Sequence, residues 1–145
     1  MSTTSLPEPT GQSIGTILTN ALIAGVISAV INLLIFFIGG AVVGGIEVAT
    51  TPGEPFAPLP FFIVVIASIV PTLVAGIGLW IAAGYIPNGI RVWQIVAVVI
   101  TLLSLGSPFG GQVATIAAAV LLALMHVVVG GVMVWYLTLR QPLGK

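Results

Sequence analysis

His126 is the only histidine in the chain, and it stands within "LLALMHVVVGGV", residues 121–132, where every other residue is apolar or glycine. An imidazole in such a setting can bridge helices, relay a proton or hold a ligand, and an ionisable group inside a membrane is by default a functional candidate. Few polar residues could join it: Asn32, Ser68, Thr72, Thr101 and Ser104 are each embedded in an apolar run. Residues three and four apart share a helix face. The face through His126 carries Thr115, Ala119, Leu122, Gly130 and Met133, and the face through Asn32 carries Ala21, Gly25, Ser28, Ala29 and Gly39. Stripes of small residues let helix backbones approach closely while their polar members hydrogen-bond across the contact. Ser68 and Thr72 form a third polar stripe, Thr101 and Ser104 a fourth. A polar group without a partner in hydrocarbon is costly, so His126 is expected to hydrogen-bond within this set.

The same inventory excludes several chemistries. One histidine and no cysteine leave only weak options for a metal, no bis-histidine haem within one chain, and no thiolate zinc site, iron–sulfur cluster or thiol redox chemistry. A His–Met haem pair is unsupported too, since Met125 is adjacent to His126 and points to another side of the helix, and Met133 alone does not make the case. Nucleophilic catalysis would need an acid beside the histidine, whereas Glu8, Glu47 and Glu54 all lie in polar segments. The glycine pairs of "FIGGAVVGG" and "FGGQ" lack the lysine and the strand-to-helix setting of a phosphate loop, and read as turns or close helix contacts. No catalytic residue, metal or cofactor is expected.

Composition explains why polar residues are so scarce. Of 145 residues, 59% are hydrophobic and 4% charged, against about one quarter charged in an average soluble domain. Mean hydropathy is +1.30. Such a chain belongs in a bilayer, and its main partner is lipid. Three basic and three acidic residues balance, so there is no basic surface for nucleic acid.

A spanning helix needs about 20 apolar residues, so four spans consume most of the length. The elements that must position the polar set are therefore four helices, expected at about 14–39, 61–84, 92–108 and 112–139. Together they make one all-α transmembrane domain over 14–140, between a disordered tail at 1–13 and a short C-terminal tail at 141–145. A cleaved signal peptide is disfavoured: the tail has no lysine or arginine, and the first apolar run is about twice a typical signal core. "EVATTPGEPFAPLP" is the longest connection, a loop by its proline density. Pro71 is tolerated in a membrane helix as a kink, and Ser107-Pro108 breaks the chain after the third apolar run.

With four spans, Arg91, Arg140 and Lys145 fall on one side and Glu47 and Glu54 on the other. The positive-inside rule then puts both termini in the cytoplasm, and Trp135 and Tyr136 at headgroup level.

The asparagine at 32, "PLP" before the second helix, "SLGSPF" after the third and "LMHVVVGGV" in the fourth resemble a family of small bacterial four-pass membrane proteins of unknown function. The resemblance implies a fold and a membrane location but no activity, and it carries over Asn32, Ser104, Pro108 and His126. The expectation for function is a non-catalytic structural or accessory subunit of a larger membrane complex. Two alternatives stand beside it: a homo-oligomeric channel or small-solute transporter with a polar interior, and a quinone, lipid or pigment binder using His126. Proton-coupled exporters of this size need a membrane-embedded glutamate that is missing here, and the opening motif of dual-topology fluoride channels is also missing.

Overall fold

The computed structural model describes residues 12–49, 51 and 53–140. Of the expected tails, residues 1–11 of the N-terminal 1–13 and all of 141–145 lie outside the described residues. α1 (Ile14–Leu34) opens where Ser13, in extended backbone, accepts a hydrogen bond from the Thr16 amide through its side chain. That bond satisfies one of the donors a helix start leaves open. The chain passes through one π-helical turn (Ile35–Gly39) into α2 (Gly40–Val43), so the first span runs to Val43 rather than to 39. Gly44 ends it with φ of 84°, a conformation that glycine adopts without steric penalty.

α3 (Phe61–Tyr85) is continuous across Pro71. The tight turn after it has Asn88 at φ of 55°, and α4 (Gly89–Ser104) starts at once, three residues before the expected 92. Gly89 sits against the Ala82 carbonyl, where any side chain would collide with backbone. α4 stops at Ser104, and Pro108 falls in a separate 3-10 turn, Ser107–Phe109, rather than at the helix end. α5 (Ile116–Leu139) begins four residues after the expected 112. The reason is pairing: β1 (Glu47–Val48) is antiparallel to β2 (Ala57–Pro58), and Val48 also bridges Val113. The Ala49 amide donates to Gln112 O and the Ala114 amide to Glu47 O, so residues 112–114 are held extended until Thr115 caps the helix through Ala118 N. The two loops at this end form one small cap.

α1 packs along both α3 and α5, whereas α4 touches α3 and α5 but not α1 to any extent. Small residues decide the α1–α3 distance. A Cβ on Gly25 would lie 2.5 Å from Thr72 Oγ1 and 3.0 Å from Ile69 Cα, and one on Gly76 would lie 2.8 Å from Ala21 Cβ. An apolar cluster of Ile17, Leu79, Trp93, Met133 and Leu137 fills the end that carries the termini, where Gln12 Nε2 donates to the Arg140 carbonyl. Ile46, Val64, Ala118 and Met125 fill the other end beneath the cap.

The outer surface is as apolar as the interior: Val30, Leu34, Phe37, Val74, Ile100, Leu103 and Ile116 are all exposed. Among the described residues, four helices are long and apolar enough to cross a membrane. Hydrocarbon is the solvent that accepts such a surface, and helices satisfy their own backbone groups within it. The fold is an all-α, four-pass membrane bundle. Arg140 lies 5.1 Å from the Tyr136 ring centroid at the same end as the Trp80–Tyr85 and Trp135–Tyr136 pairs, the belt expected at an interface.

Candidate functional site

The polar stripes converge on the middle of the bundle but divide into two kinds of surroundings. On the α1–α3 seam, Asn32, Ser28, Ser68 and Thr72 are buried, each at most 2% exposed. Asn32 Nδ2 donates to Ser68 Oγ at 3.0 Å and to the Met125 carbonyl at 3.3 Å, tying α1 to α3 and to α5 at once. A backbone carbonyl only accepts, which assigns the amide nitrogen to that side. Asn32 Oδ1 is left buried without a hydrogen-bond partner among the described residues. Ser68 donates onward to Val64 O, Ser28 to Ala24 O and Thr72 to Ile69 O, all within their own helices.

Between α3 and α4 the helices diverge. They meet at the Asn88 turn and again where Trp93 Nε1 donates to the Ala75 carbonyl at 2.9 Å. Toward the cap they bound a cleft of about 640 Å³, with α5 as its back wall and Asn32 at its floor. Ala67, Pro71 and Val74 form one flank, Val96 and Ile100 the other, and Met125, His126 and Val129 the back. Asn32, Ser68, Thr101, Ser104 and His126 all line this cleft. Thr72 does not; it faces α1 at Gly25.

His126 does not bond to the polar set as expected. Its Nδ1 lies 2.7 Å from the Leu122 carbonyl one turn earlier in α5. Thr101 donates to Ala97 O at 2.8 Å and Ser104 to Thr101 O at 2.7 Å, also within one helix. Each short side chain finds an acceptor on its own helix without waiting for a neighbour, a recurrent habit of serine and threonine. α4 and α5 still approach closely at this level, because Gly130 is seated against Thr101 with no room for a Cβ. His126 is half-buried and is the one titratable side chain lining the cleft, so proton chemistry there rests on it alone. Among the described residues no three histidine, cysteine or acidic side chains group as a metal site.

Two residues of this site escaped the sequence reading. Trp93, in the first turns of α4 just past Asn88, is buried and closes the cleft. Met125 contributes through its backbone carbonyl, for which no side-chain signal exists.

No curated protein and no solved structure matches the chain. A family of unknown function does match, over residues 12–142, and the chain belongs to that family, DUF6069.

Proposed function

We propose that this protein of the cytoplasmic membrane, without catalysis of its own, holds one lipid-soluble molecule in the cleft between α3 and α4. The observation that supports this reading is the cleft itself: apolar flanks open at the side of the bundle, leading to a floor and back wall that carry Asn32, Ser68, Thr101, Ser104 and His126. Small-molecule sites are generally mostly apolar, of about 300–1,000 Å³, with a few placed polar groups. A pore through one chain is less well supported, because the Ile17, Leu79, Trp93, Met133 and Leu137 cluster stands between the cleft and the end bearing the termini. Arg91 and Arg140 at that end favour its cytoplasmic orientation.

The test is mass spectrometry of the protein extracted gently from its own membrane. A lipid-soluble species enriched over bulk lipid, and lost when Ala67→Trp or Val96→Trp fills the cleft, is the expected result. Bulk lipid composition in both samples would refute the reading. A second reading, a subunit docking on a larger complex, is favoured by the sparse packing of α4, whose Val98, Val99, Leu102 and Leu103 are all exposed. Other polypeptides in fixed ratio in the same spectra would support it.

A further inference from the structure

Every side-chain hydrogen-bond donor on the wall of the cleft is already engaged inside the protein. Asn32 directs its amide nitrogen at Ser68 Oγ and Met125 O. The hydroxyls of Ser68, Thr101 and Ser104 donate to carbonyls of their own helices, and the Trp93 indole donates to Ala75 O. At 2.7 Å from the Leu122 carbonyl, His126 Nδ1 must carry its proton, since the carbonyl only accepts. In the neutral imidazole that leaves Nε2 as a bare lone pair. What the half-buried side chains lining the cleft have left to offer is a set of acceptors: His126 Nε2 and the hydroxyl lone pairs of Thr101 and Ser104.

Resting on the proposed binding function, we infer that the cleft selects a neutral hydrophobic molecule whose polar end is a hydroxyl, donated to His126 Nε2. A hydrophobic ketone or ether offers only further acceptors to a wall that has no donor to give. A cation would satisfy the acceptors, but no carboxylate lines the cleft, and an unpaired charge at membrane depth is strongly disfavoured. The apolar flanks of Ala67, Val74, Val96 and Ile100 suit the remainder of such a molecule, which reaches them from the bilayer through the open side.

The test compares three probes that differ at one end: pyrenebutanol, its methyl ether and the corresponding methyl ketone. Each is titrated into nanodiscs holding a Trp80→Phe, Trp135→Phe chain, so that energy transfer to pyrene reports from Trp93 alone, with partition into empty nanodiscs subtracted. The expected result is about fivefold tighter binding of the alcohol than of either analogue, the size of one neutral hydrogen bond. His126→Phe should then bring the three affinities together by removing the alcohol's advantage over both analogues. Equal binding of all three to the unsubstituted cleft overturns the selectivity and leaves the binding site standing. Preference for the ketone overturns it as well, by making Nε2 a donor. No binding by any probe overturns both the selectivity and the proposed site.

Discussion

The α1–α3 seam and the α3–α4 cleft use the same residue types at the same spacings and end as opposites. On the seam, Gly25 and Gly76 bring two backbones together, and Asn32, Ser28, Ser68 and Thr72 are buried with their donors bonded inside the protein. In the cleft, Thr101, Ser104 and His126 keep an open face, because α4 is held to α3 chiefly at the Asn88 turn and at Trp93. Polarity inside a membrane bundle is therefore structural or available according to how closely the backbones pass. Small residues on one of the two helices decide that distance.

The contrast is broken most severely by closing in on the seam. Gly25→Leu sets a side chain against Ile69 Cα, a backbone atom that cannot rotate away, and should cost about 3 kcal/mol as overpacking or prevent folding. Thermal unfolding in mild detergent reads this. Gly130→Val, directed at Thr101, should cost about 2 kcal/mol in the same assay and widen the α4–α5 contact. Asn32→Leu removes the two bonds to Ser68 and Met125 but also the unpaired Oδ1; interhelical bonds in membranes average about 0.6 kcal/mol, so a loss near 1 kcal/mol is expected. His126→Leu should change stability by about 0.5 kcal/mol or less, since it gives up a bond inside α5 rather than between helices. A large loss for His126→Leu would show that His126 also belongs to the structural class and would erase the distinction between the two regions.

The seam was the more legible of the two. Ala21, Gly25, Ser28 and Asn32 recur at three and four residues, as do Ser68 and Thr72, and such stripes have one favourable use in a bilayer. The cleft could be read only as a set of residues: Thr101, Ser104 and His126 lie on inward faces, yet spacing within a helix says nothing of whether the opposing helix stands near or far. His126 shows the limit most clearly. Its spacing points to a partner across the bundle, and the partner lies one turn back at Leu122 O, because a χ rotation inside one helix reaches an acceptor that tertiary packing need not supply. The start of α5 escaped for a related reason: Gln112–Ala114 are apolar enough to continue a helix, but pairing with Glu47–Ala49 draws their backbone into the cap.

Composition and periodicity by themselves determined that this chain crosses a membrane in four helices, which of their faces turn inward, and that its interior offers neutral polar groups with a single imidazole. Those properties follow from each segment's own need to bury apolar side chains and satisfy its backbone in hydrocarbon. Tertiary structure alone decided that α3 and α4 part above Trp93, that Asn32 rather than His126 ties the helices together, and that the cleft is left with acceptors and no free donor. Each of these depends on the distance and angle between helices, which arise from contacts such as Gly25 with Ile69 and Gly130 with Thr101 that join residues far apart in the chain.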